Sequence, residues 1–204
     1  MNRLLKPFLK LPEIFKSIKN GLVFDRETTV NLYFQDESRF GLKTHVGKCL
    51  TAIGVKPIVN YQHAFKNTSL YGSFSPINGD SFVYEIEGTT SEIFYLYLKE
   101  FSKYKPKEIK IIIIDNAGFH SMKNYVLPSN IILLRIPPYS PELNPSEKIW
   151  HYIKQYYRNT VFENLDNVKN WLHTFICQNL NPRIIKSITN HDVFVNNFKA
   201  QFNF

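Results

Sequence analysis

The 204-residue sequence predicts an α/β protein built as a mixed sheet flanked by helices. Three observations carry that prediction. Short β-branched and aromatic runs fill much of residues 28–86, residues 108–114 (EIKIIII) form an apolar run of strand length, and helical and strand-like segments alternate from residue 89 onward. Hydrophobic residues make up 44% and aromatic residues 15% of the chain, which suits one packed domain and leaves no room for a second catalytic unit.

The first twenty residues hold five basic side chains and the single acid Glu13. Residues 1–27 therefore read as a basic arm or connector, and residues 28–204 as the folded domain. TTVNLYFQ at 28–35 predicts a strand ending at Asp36. Between 40 and 86, apolar runs broken by glycines, prolines and the turn signal Asn78-Gly79 predict antiparallel strands and hairpins. Thr89 or Thr90 caps a predicted helix that runs to about residue 104, where Lys105-Pro106 stops it. The run at 108–114 suits a central strand buried on both faces, with Asp115 at its carboxyl end. A strand at 130–136, the loop PPYSPELNP, a helix from about 145 to 158 and further helical segments after 165 complete the order.

Twenty-five Lys and Arg against 17 acids leave a formal charge of +8, which favours polyanionic partners but equally describes a basic protein kept soluble by its charge. Cys49 and Cys177 form no CxxC, which argues against a thiolate zinc site and against a disulfide framework. No cleavable leader and no bilayer-length apolar run is visible, so a soluble, cytoplasmic protein is expected.

Three acids stand where α/β sheets gather function, at the carboxyl ends of strands and the start of the following helix: Asp36, Asp115 and Glu147. Carboxylates without clustered His or Cys are the ligand type for Mg²⁺, a hard cation that keeps several waters and binds substrate phosphate. Taken singly, each acid has a structural explanation. Asp36 could end a strand in the turn DESRFG, Asp115 could open a turn, and Asn144, Pro145 and Glu147 resemble a capping box. On the last predicted helix, Glu147, His151, Lys154 and Arg158 fall on one side, either a strip of phosphate contacts or a solvated face. Trp150 lies off that strip and is assigned to packing.

Three segments together, FQDESRFGL (34–42), IIIIDNAGFHSMK (111–123) and IPPYSPELNPSEKIWHYIK (136–154), resemble the insertion-sequence branch of the mariner-like DDE transposases. GVKPIV (54–59) and LYGSFSPINGD (70–80) are also similar, so the resemblance runs from about residue 34 to 158. It implies a ribonuclease H-like core and dependence on Mg²⁺, with Mn²⁺ as a substitute and two ions in the site. Asp36, Asp115 and Glu147 match the family's catalytic acids in that order. Glu37 matches the motif as an acid supporting the ligands, and His120 as a group that orients phosphate or water or is a hydrogen-bonded structural histidine.

The implied activity is DNA cleavage at transposon ends to leave a 3′-hydroxyl, followed by attack of that hydroxyl on target DNA with no covalent enzyme intermediate. Double-stranded DNA, a homodimer that brings two ends together, and nucleoid association follow from the same resemblance. Helix-turn-helix modules precede the catalytic core in full-length relatives and none is expected here, so a separate helix-turn-helix polypeptide is an expected partner. An inactive or domesticated remnant that binds DNA without cutting it is the main alternative. A related nuclease acting on RNA–DNA hybrids or junctions is the third.

Overall fold

Thirteen residues, Thr29–Gly41, form the strand β1 around which the sheet is built. The computed structural model describes residues 10–22, 27–48, 50–138 and 140–202. Within it, β2 (Asn67–Phe74), β3 (Ser81–Glu85), β4 (Glu108–Ile114) and β5 (Ile131–Arg135) complete one sheet in the order β3-β2-β1-β4-β5. β1 pairs antiparallel with β2 and parallel with β4, which in turn runs parallel to β5. A mixed sheet with β1 at its centre results.

Strand periodicity divides the side chains between two faces. Val30, Leu32 and Phe34 of β1, with Ile109, Ile111 and Ile113 of β4, pack against α1 (Leu11–Gly21) and α6 (Asp192–Phe202). Phe40 of β1 and Phe74 of β2 pack on the same side against α3 (Ser146–Tyr157), α4 (Leu165–Asn179) and α5 (Pro182–Thr189). Tyr33, Tyr71, Ile112 and Ile114 face the other way, against Phe94, Tyr97, Leu98 and Phe101 of α2 (Ser91–Lys103). Thr90 caps α2 by accepting the Ile93 N–H, as its position in the sequence predicts.

Three expectations are corrected. β1 does not end before Asp36 but runs on to Gly41, because Glu37 to Gly41 pair with Tyr71 to Asn67 of β2 and this long-range ladder overrides the turn character of DESRFG. Among the described residues, 43–66 contain no strand; the segment is closed at its base by Leu42 N–H to Lys66 O (3.0 Å) and Thr44 N–H to Gln62 O (3.1 Å). Finally, the lead-in is not a free arm from Leu11 onward. Phe15 is fully buried, with its ring edge-on to Phe198 (5.8 Å) and Phe202 (6.4 Å), so α1 belongs to the core; residues 1–9 lie outside the described residues.

At the amino-terminal end of β4 a polar network replaces apolar packing. Glu108 accepts from the Tyr33 hydroxyl (2.7 Å) and from Asn31 Nδ2 (3.2 Å), and Asn31 Oδ1 accepts from Ser75 Oγ (2.8 Å). Lys110, with no exposed surface, donates to the carbonyls of Lys105 (3.0 Å) and Glu108 (3.2 Å) and lies 4.0 Å from the Glu108 carboxylate. Asp80, after the Asn78-Gly79 turn, is held by Tyr33, Tyr104 and Lys105. Gly79 sits at φ +78 and presses on the Pro182 backbone, which explains glycine there. No helix among the described residues is long and apolar enough to cross a membrane.

Candidate active site

The parallel register of β1 and β4 sets the geometry. Leu32 pairs with Ile111 and Phe34 with Ile113; two residues further along each strand stand Asp36 and Asp115. Asp115 stands just past the last residue of β4, its Oδ1 2.7 Å from His120 Nδ1, whereas Asp36 lies within β1 on the face of Phe34. α3 covers that same face, with Trp150 edge-on to Phe74 (5.4 Å) and Phe40 (6.3 Å), and Glu147 stands one turn before Trp150.

Two contacts bring the start of α3 down to β1. Asn144 donates through Nδ2 to Gln35 O (2.8 Å), while its Oδ1 accepts the Ser146 N–H (3.3 Å). Gly72, paired with Asp36 on β2, leaves room for the indole: a Cβ there would come within 2.8 Å of Trp150 Cζ2 and 2.6 Å of Phe74 Cζ. Gly72→Ala should therefore push α3 away from Asp36, costing about 1–3 kcal/mol by overpacking. Urea unfolding checks the stability loss, and Mn²⁺ titration should show weaker binding. The expected capping box is not formed, since Pro145 occupies the cap position without a side-chain bond and Glu147 is left exposed.

Glu147 borders two adjoining concavities. One, of about 460 Å³, is lined by Asp115, Asn116, Pro137, Pro138 and Asn144; the other by Asp36, Ser38, Trp150, His151 and Lys154. The acids also feel one another. Burial, then the charges of Glu37, Glu147 and Asp115, push Asp36 up to about 8, and burial together with Asp115 raises Glu147. Asp115 is held below the usual carboxylate range, first by its bond to His120. Burial lowers Lys154, against the pull of Asp36.

Of the residues expected to meet DNA, His151 and Lys154 line the cleft beside Asp36, with the Lys154 ammonium 5.5 Å from the Phe40 ring centre. Arg158 follows α3 and packs against Gly47, at the base of the irregular 43–66 segment. His120, expected either to orient phosphate or water or to be a hydrogen-bonded structural histidine, is only 1% exposed and lies between Asp115 and Glu37. Burial alone would lower its pKa, but the two carboxylates raise it to about 9. Gly72 and Asn144 had no signal as site residues, because their role exists only once β2, β1 and α3 meet.

Asp36, Asp115 and Glu147 suit a hard divalent cation by donor type and by the mutual repulsion that a cation would relieve. Among the described residues no three His, Cys, Asp or Glu side chains are grouped so as to hold an ion.

Residues 31–169 match the family described as "DDE superfamily endonuclease". The chain is 37% identical over 59 residues, 28% of its own length and 44% of the relative's, to "Uncharacterized protein y4pE/y4sA" of Sinorhizobium fredii (strain NBRC 101917 / NGR234). Its fold is similar to that in "Mos1 transposase paired-end complex with left transposon end", with a TM-score of 0.65 at 15% identity, over 100% of this chain and 64% of that one. "Crystal structure of the Mos1 mariner paired end complex with Mn" gives 0.63 at 16%, over 100% and 64%. The corresponding complex with Mg gives 0.58 at 16%, over 100% and 61%. The chain thus spans less than two thirds of each of these, and the likeness to Mos1 establishes a shared ribonuclease H-like fold. Because the matched residues make up more than half of the chain and take in β1, β4 and α3 with the three acids, the chain belongs to the DDE superfamily endonucleases.

Proposed function

We propose that this chain is the catalytic domain of a DNA transposase that cuts DNA at transposon ends and joins the resulting 3′-hydroxyl to target DNA. One observation carries the reading: Asp36 on β1 and Asp115 at the end of the neighbouring parallel β4 each adjoin a concavity that Glu147, at the start of α3, also lines. The three would hold Mg²⁺, or Mn²⁺ in its place, as a pair of ions. When bound, such ions neutralise and orient the attacking and leaving oxygens of an in-line displacement. Titles of the similar folds name a left transposon end, a strand transfer complex, Mn and Mg, and support this choice of substrate and metal.

The protein's own contribution is placement. Parallel pairing of β1 with β4 carries Asp36 and Asp115 to the same end of the sheet, and the Asn144 anchor ties the start of α3, which bears Glu147, to β1. His151, Lys154 and Arg158 follow Glu147 along one side of the helix and offer positive or hydrogen-bonding contacts to phosphates flanking the cut. In cleavage, a bond forms from water oxygen to phosphorus, and the bond to the 3′-oxygen breaks as that oxygen takes a proton. In joining, the freed 3′-hydroxyl oxygen attacks a target phosphorus, and the target's own 3′-oxygen leaves protonated.

The catalytic unit is assigned to residues 28–204 together with α1. End recognition is assigned to a helix-turn-helix module outside these 204 residues, and a homodimer acting at the nucleoid would hold two ends together. Incubating the chain with supercoiled DNA and Mg²⁺ or Mn²⁺ should give nicked product that is absent with Asp115→Ala. Binding without acid-dependent nicking would favour the inactive remnant, and preferential cutting of hybrids or junctions would favour the third reading.

A further inference from the structure

The loop after β4 carries a histidine that touches two carboxylates. Nδ1 of His120 lies 2.7 Å from Asp115 Oδ1, and Nε2 lies 3.0 Å from Glu37 Oε1. The ring is packed against Phe94 (4.4 Å between centroids) and Phe119 (4.3 Å), and the His120 carbonyl accepts from the Arg135 guanidinium. Glu37 is itself tied down, its Oε1 accepting from Gln35 Nε2 at 2.7 Å. This histidine is fixed on its faces, through Nε2 and through its backbone, and its Nδ1 is held close against Asp115.

We propose that Glu37 and His120 are positioning residues that set the orientation of Asp115, leaving its Oδ2 for the cation; this rests on the reading that Asp115 is a ligand. Oδ1 accepts the Ala117 N–H at 2.8 Å and also faces His120, whereas Oδ2 has no protein partner among the described residues and the side chain is 46% exposed. One oxygen is thus committed to the protein and the other to the cleft. Imidazoles and carboxylates behind a ligand orient it in this way, and their removal typically costs about 10–100-fold in metal affinity.

β1 gains a double role. Asp36 points to the face that α3 covers, and Glu37, its neighbour, points to the opposite face that α2 covers, where His120 is packed. A single strand therefore presents one acid directly and steers the other through an imidazole. The spacing between Asp36 and Asp115 is set by β1 twice over, once through its pairing with β4 and once through Glu37.

Two substitutions separate positioning from simple packing. His120→Gln puts an amide near the place of Nε2, keeping the contact with Glu37 and dropping that with Asp115. His120→Asn does the reverse. Mn²⁺ titration followed by electron paramagnetic resonance, with melting temperatures alongside, should show His120→Gln raising Kd by up to about 100-fold and His120→Asn, which drops only the Glu37 contact, raising it less, by about tenfold, at similar cost in stability. Equal affinities in the two variants, or a His120→Gln value within twofold of the unchanged chain, would overturn the proposal. Should His120→Gln fail to fold, Glu37→Ala provides the measurement: about tenfold weaker Mn²⁺ binding is expected, and unaltered binding refutes the idea. An unchanged chain that binds no Mn²⁺ would remove the metal reading beneath the proposal; one that binds it regardless of His120 and Glu37 would remove the proposal alone.

Discussion

Asp36→Asn should abolish Mg²⁺-dependent nicking and at the same time raise the melting temperature of the metal-free chain. The loss follows from replacing a carboxylate ligand by an amide, a poorer donor for a hard cation. Losing several kcal/mol of transition-state stabilisation corresponds to a rate reduction on the order of 10³-fold. The gain in stability follows from the charges around the site. Burial, and then Glu37, Glu147 and Asp115, raise Asp36 from its ordinary 3.8 to about 8. A carboxyl with a raised folded value contributes stability below its unfolded value, and that contribution is lost as pH rises toward the folded one. Ionised Asp36 therefore costs stability increasingly from about pH 4 to 8, and Asn, which does not ionise, escapes that cost.

Thermal melts in chelator at pH 4 and pH 7.5 should show the two chains converging at the lower pH and the variant ahead by about 2–4 °C at the higher, the shift expected for roughly 1 kcal/mol. Mn²⁺ should then raise the melting temperature of the unchanged chain more than that of the variant. A variant that melts lower at pH 7.5, or that still nicks DNA, would contradict the placement of Asp36 among like charges.

The second large effect is expected far from the acids, at the opposite end of β4. Glu108→Ala should destabilise the fold by about 3–5 kcal/mol, the usual result of leaving one partner of a buried ion pair uncompensated. Lys110 has no exposed surface, and Tyr33 and Asn31 would lose their acceptor. Adding Lys110→Met should recover much of the loss, because the orphaned charge is then gone. Burial already holds Lys110 down at about 8, against a usual 10.5. Between those values the unfolded chain binds more protons than the folded one, so this group makes stability rise with pH. Glu108→Ala should accordingly cost less at pH 9.5 than at pH 7 in urea denaturation, and a pH-independent cost would exclude Lys110 as its origin.

What could be read locally was read well. The apolar run at 108–114 is a strand with every residue buried, Thr90 caps α2, and the helix after PPYSPELNP begins within a residue of its expected start. Each rests on a signal contained within one turn or one strand period. Errors arose where a distant partner decided. DESRFG has turn composition yet continues β1, because β2 supplies a ladder. α1 has the look of a connector but is held by Phe198 and Phe202, some 180 residues away. The capping reading of Glu147 gave way because Pro145, which has no side-chain acceptor, holds the cap position of α3.

By itself, the sequence determined the helices after residue 89, the buried strand at 108–114, the acids available for chemistry and the family, since periodicity, capping and motif are all written in neighbouring residues. Only the tertiary structure decided that β1 and β4 bring Asp36 and Asp115 to the same end of the sheet while Glu37 turns away from Asp36, that Gly72 leaves room for Trp150, and that His120 lies buried between two carboxylates. The reason is physical: which strand lies beside which, and in what register, is set by long-range pairing and burial that no short stretch of chain encodes.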